Sequence, residues 1–222
     1  MIIERRYVGP PGSGNGGWSA GVFARVAGDG PVEVTLRRPP PLETPLTAVA
    51  GAAGATEIHD PEGLVVAEVR QVATFAAAVG PVDGVRARAA ASAYPGLVDH
   101  PFPGCYVCGP AHPGGLRIFP GRLPDGRTAA PWHVPTGVTD ATVWAALDCP
   151  GGWAVIGPGR PYVLGRIATV LTGLPATGDE CVVTGLVEAV SGRKAQVSSA
   201  LYAPDGTLLG HARATWIALP AG

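Results

Sequence analysis

A run of basic residues is missing from this chain of 222 residues, and its 16 Lys plus Arg nearly cancel its 17 Asp plus Glu. The electrostatic footprint of a nucleic-acid binder is therefore absent. No stretch approaches the roughly 20 consecutive apolar residues of a membrane span. The opening MIIERRYVGPPG puts charges where a signal peptide needs its apolar core. Cysteine is sparse as well: Cys105, Cys108, Cys149 and Cys181 are too few for a disulfide scaffold in a chain of this size, which fits a reducing compartment. These absences predict a cytoplasmic globular protein with small or apolar partners, and neither nucleic acid nor membrane among them.

Glycine and proline abound, with 33 and 24 residues. They punctuate the chain instead of filling it. Between their clusters lie β-branched and apolar runs of strand length, VEVTLRR, LVVAEVRQV, ECVVTGLVEAV and KAQVSSALYA, so a sheet is expected at the centre of the fold. One pattern occurs twice. GNGGWSAGVFA, from Gly14 to Ala24, precedes four strand-like runs, and CPGGWAVIG, from Cys149 to Gly157, precedes a similar set. The last hairpins agree most closely: DPEGLVVAEVR and APDGTLLGHAR pair Pro61 with Pro204, Gly63 with Gly206 and Arg70 with Arg213. A Pro-acid-Gly turn works because Pro presets φ and Gly accepts a positive one. The second copy is longer, and the extra residues are expected near TGLVEAVSGRKAQV. An Ala/Arg-rich segment predicts a short helix over Val85 to Tyr94 in the connection, and Thr139 or Asp140 can cap a helix carrying Val143, Trp144 and Leu147.

A Gly-Gly-opened helix followed by antiparallel strands, duplicated in one chain, resembles the hotdog fold, and in particular the double-hotdog acyl-CoA thioesterases of the TesB-like group. NGGW at Asn15 to Trp18, VEVTLRRPPPLETPL from Val32 and AALDCPGGWA from Ala145 carry the resemblance, and CYVCGPAHPGGLRI is similar to a segment of some other hotdog thioesterases. It implies an α+β double hotdog: two tandem repeats, each an antiparallel sheet wrapped around a helix. The repeats would span residues 1–75 and 105–222, with a linker at 76–104. It also implies hydrolysis of an acyl-CoA thioester without a cofactor, and exposed sheet edges make a homodimer the default expectation.

Thioester hydrolysis needs a polarised carbonyl and an activated water. Bare glycines at a helix N-terminus suit the first task, since free N–H groups can approach an oxygen without obstruction by Cβ. Asn15, Gly16 and Gly17 are the candidates, with Gly151 and Gly152 as counterparts in the second copy. The alternative is that these glycines only permit a tight turn and close packing. For the second task Asp148 falls where the family places its catalytic Asp; the alternative is a turn-capping Asp. Trp18, Gly151, Gly152 and Trp153 are expected to border the substrate. The family's Asp works with a Thr or Ser and a Gln, whereas here Arg213 stands at the Gln position and no hydroxyl matches the other. The competing reading is therefore a non-catalytic protein that binds acyl-CoA or another small apolar ligand. Cys105 and Cys108 have the two-residue gap of a zinc knuckle with His100 and His112 nearby, but a single Cys-x-x-Cys is a weak signal where a closed site needs two further ligands in reach. The similar segment in the resembling families is a metal-free turn, so no metal is expected. Cys149 reads as a small buried hydrophobe.

Overall fold

Strands dominate the computed structural model, which describes residues 1–220. In chain order the elements are α1 (Gly16–Ala24), β1 (Val32–Leu36), β2 (Thr47–Ala50), β3 (Thr56–His59), β4 (Val65–Gln71), α2 (Gly84–Ser92), β5 (Gly121–Arg122), β6 (Thr128–His133), α3 (Asp140–Trp153), β7 (Tyr162–Leu171), β8 (Glu180–Ser191), β9 (Lys194–Tyr202) and β10 (Leu208–Ala218). All ten strands form one sheet in the order β2-β3-β4-β1-β7-β10-β9-β8-β6-β5. Every pairing between them is antiparallel.

The order contains the duplication. Outward from the seam where β1 meets β7, with Val34 opposite Ile167, the four strands that follow each main helix stand in the same sequence, first, fourth, third, second, and β6 and β5 extend the second half beyond them. Two hotdog sheets thus join edge to edge into one. The hairpins before β4 and β10 turn through Gly63 and Gly206, at φ of +79° and +86°, as the Pro-acid-Gly spacing predicts. The longer arm of the second copy is the β8–β9 hairpin, which runs on to Ser191 and Lys194. Among the described residues no helix is long and apolar enough to cross a membrane.

The two main helices lie antiparallel against one side of the sheet. Small residues let them approach closely: a Cβ at Gly21 would fall 2.7 Å from Ala141 Cα, and one at Gly17 would fall 3.1 Å from Ala145 Cα. In α3 every residue after Asp140 is buried. The helix starts where Thr142 Oγ1 accepts the Thr139 N–H at 3.1 Å, as the expected cap requires. It does not stop at Pro150. Proline inside a helix removes a donor and crowds the preceding turn, but the neighbouring carbonyls are met from the sheet: Thr128 Oγ1 donates to the Pro150 carbonyl at 2.7 Å and Ser199 Oγ to that of Leu147.

The two Gly-Gly-Trp stretches are consequently not counterparts. Gly16, Gly17 and Trp18 open α1, whereas Gly151, Gly152 and Trp153 close α3. Gly151 and Gly152 therefore do not present free N–H groups at a helix start. They make room for the sheet: a Cβ at Gly151 would lie 2.7 Å from Val197 Cγ2, and one at Gly152 would lie 2.5 Å from the Trp216 ring.

Candidate active site

Asp148 is the only buried carboxylate among the described residues, at 2 % exposure. Antiparallel packing of the helices brings it against the start of α1. Its Oδ2 accepts the Gly17 N–H at 2.9 Å and the Asn15 side-chain amide at 3.3 Å. Its Oδ1 is buried without a partner. Burial pushes the carboxyl up to about 7, against the opposing pull of the Gly17 and Asn15 hydrogen bonds. A carboxylate raised in this direction is a stronger base than a solvated one, as suits a proton acceptor.

Asn15 organises the junction. Its Oδ1 caps α1 by accepting the Trp18 N–H at 2.8 Å, while its amide nitrogen reaches both Asp148 and the Cys105 sulfur, the latter at 3.7 Å. Asn15→Ala removes the cap and one of the two donors to Asp148. Loss of the cap costs about 1 kcal/mol, which in a chain of this size lowers Tm by roughly 2–4 °C. Calorimetry checks this.

Gly17 and Gly16 have separate tasks. The Gly17 N–H holds the carboxylate, and among the described residues the Gly16 N–H has no hydrogen-bond acceptor. Gly16 also lines the cavity beside Asp148, against Leu164 of β7, where a Cβ would come within 2.9 Å of that side chain. That cavity, about 40 Å³, is lined by Asn15, Asp148, Trp153 and Trp216 as well as three cysteines. It has room for a water but not for an acyl chain. Two larger grooves share its walls. One, about 380 Å³, shares Gly16, Val163 and Leu164 and carries Arg37 and Arg38. The other, about 870 Å³ and mainly apolar, shares Trp153 and Ile156 and runs past Tyr94, Leu97 and Arg160.

Of the residues singled out in the sequence, Asn15, Gly16, Gly17 and Asp148 come together, and Trp153 and Cys149 border the same cavity. Trp18 does not line it: its ring stacks on Tyr7 at 3.6 Å and meets Tyr106 edge-on. The Asp148 carboxylate accepts no hydrogen bond from a hydroxyl or a Gln among the described residues. Arg213 lies on the exposed side of β10, its guanidinium 4.5 Å from the Phe75 ring centre. His100 reaches the Cys108 sulfur with its Nε2 at 3.4 Å. Cys149, from α3, completes the group around it.

At the other end of the helix pair, the start of α3 faces Ala24 and Arg25 across a cavity of about 180 Å³. Among the described residues no buried carboxylate stands there.

No family model matches the chain, and no curated protein matches it. Solved structures match over nearly its whole length. The TesB protein of Mycobacterium avium subspecies paratuberculosis is 12% identical with a TM-score of 0.60, covering 99% of this chain and 91% of that chain. A Novosphingobium aromaticivorans protein provisionally described as a thioesterase is 15% identical with a TM-score of 0.62, covering 99% and 94%. A conserved hot dog-fold protein of unknown function from Alicyclobacillus acidocaldarius is 11% identical with a TM-score of 0.55, covering 99% and 92%. These likenesses define the class of the molecule by its architecture. The chain is a double hotdog.

Proposed function

We propose that the protein hydrolyses an acyl-CoA thioester, with Asp148 as general base. The observation that carries this reading is the geometry of the carboxylate: one oxygen held by Gly17 and Asn15, the other buried and unpartnered beside a water-sized cavity. In the reaction the thioester carbonyl oxygen takes the free Gly16 N–H at the positive end of α1, which stabilises the charge that develops there. Asp148 Oδ1 removes a proton from water as its oxygen bonds to the carbonyl carbon. The tetrahedral adduct then collapses, the C–S bond breaks, and the proton passes to the leaving thiolate, giving a carboxylic acid and free thiol. The apolar groove by Trp153 and Leu97 suits the acyl chain. The groove carrying Arg37 and Arg38 suits the pantetheine and phosphates; Arg37 is shared with Glu68 at 2.8 Å, which leaves Arg38 the freer cation.

A second reading rests on the absence of any hydroxyl or Gln bound to Asp148: a protein that binds acyl-CoA without cleaving it. A panel of acyl-CoA esters of increasing chain length separates the two. Release of free thiol by the pure protein, dependent on chain length, supports hydrolysis. An ester that raises Tm by mass action without thiol release overturns it in favour of binding. We further propose a homodimer formed through exposed strand edges such as β2, whose four residues are all exposed; sedimentation at a monomer's mass would refute it.

A further inference from the structure

Three cysteines beside the site take no part in the proposed hydrolysis. Cys105, Cys108 and Cys149 are buried and free of disulfides, and their sulfurs lie within 4.8 Å of one another. Buried thiols ordinarily pack as small hydrophobes. These are surrounded differently, because N–H groups point at the sulfurs. The Asn15 amide donates to Cys105 at 3.7 Å, and Trp153 Nε1 donates to Cys108 at 3.4 Å. His100 Nε2 lies 3.4 Å from the same Cys108 sulfur. The proton on that imidazole is assignable, since Nδ1 accepts the Phe102 N–H at 2.9 Å and Nε2 must then be the donor. Donors of this kind stabilise thiolates. Yet no Lys or Arg is buried among the described residues, so the protein supplies no buried cation to balance clustered negative charge.

We propose that Cys105, Cys108 and Cys149 form a three-thiolate site for a zinc-class cation, with Asn15, His100 and Trp153 as an outer shell of N–H donors. Thiolate sulfur suits such an ion. A Zn–S distance of about 2.3 Å in tetrahedral geometry sets sulfurs about 3.8 Å apart, which this cluster reaches with little movement. Binding releases the thiol protons, so uptake of the ion acidifies the medium. All three cysteines line the Asp148 cavity, which has room for a water as a fourth ligand. Outer-shell hydrogen bonds orient metal ligands and tune them, which accounts for three different side chains converging on two sulfurs.

The test uses the full chain, purified under reductant, stripped with a chelator and titrated with Co²⁺ and then Zn²⁺. The expected result is one equivalent per chain, sulfur-to-cobalt charge-transfer absorption with the d–d bands of tetrahedral cobalt, displacement by Zn²⁺ and a higher Tm. Cys149→Ser and Cys108→Ala lose the stoichiometric binding, whereas Cys181→Ala, altered at the one cysteine outside the group, binds like the parent. Folding of each variant is checked by circular dichroism. A folded parent chain that takes up no cobalt with its thiols reduced overturns the site, as does cobalt absorption unchanged in folded Cys149→Ser. Because the readout is metal content and spectrum, the result stands apart from whether any thioester is cleaved.

Discussion

Asp148→Asn lowers kcat/KM for thioester hydrolysis by about 10²–10⁴-fold, the range for removing a general base, while the protein stays folded. Asparagine keeps the shape of the side chain, and its oxygen can still accept the Gly17 N–H that now holds the carboxylate at 2.9 Å. What disappears is the basic oxygen of a residue that lines the cavity. The native carboxyl is buried with one oxygen unpartnered, an arrangement that costs stability. The neutral amide removes part of that cost, so Tm is expected to hold or rise as activity falls. A structural Asp would show the opposite pattern, with turnover preserved and Tm lowered. Steady-state kinetics and calorimetry on one preparation distinguish them, and turnover within a few-fold of the parent would remove Asp148 from the mechanism.

Gly17→Ala is expected to impair both stability and activity. Its added methyl would lie 2.5 Å from Asp148 Cβ and 2.7 Å from the Trp144 carbonyl oxygen. Neither the α3 backbone nor the first carbon of a side chain can swing aside, so the helices must separate. Overpacking of this kind costs about 1–3 kcal/mol, or roughly 2–12 °C in Tm for a chain of this length. Separation also lengthens the Gly17 N–H bond to Asp148 and draws the Asn15 cap away from it. Hydrolysis should fall at least tenfold even well below the lowered Tm. An unchanged rate at reduced stability would show that Gly17 serves packing alone.

Some features are legible in the sequence because local chemistry leaves few choices. A positive φ after Pro-acid marks Gly63 and Gly206, and the apolar spacing behind Thr139 marks the start of α3. The meaning of the second Gly-Gly-Trp is not local. The helix runs on through Pro150 to Trp153, and Thr128 and Ser199 reach it from distant strands, donating to the carbonyls of Pro150 and Leu147. The repeated triplet therefore marks opposite helix ends, and the duplication rests on the strands instead. In the site, Asp148 is found through the resemblance, and its contact with Asn15 and Gly17 follows from antiparallel packing that no spacing reveals. The thiol cluster is hidden for the same reason. Cys105 and Cys108 sit in a loop and Cys149 in the helix after it, and only the folded chain brings their sulfurs together.

The seam between β1 and β7 has a genetic consequence. In an assembly of identical single-hotdog subunits, every substitution appears on both sides of the twofold axis, so the two clefts must change in concert. Here the two sides are encoded separately. Asp148 belongs to one copy and the Gly17 that holds it to the other, while Ala24 and Arg25 occupy the opposite cleft. Each cleft can be altered without alteration of its mate, and one chain can combine a chemically equipped cleft with another that is free to diverge.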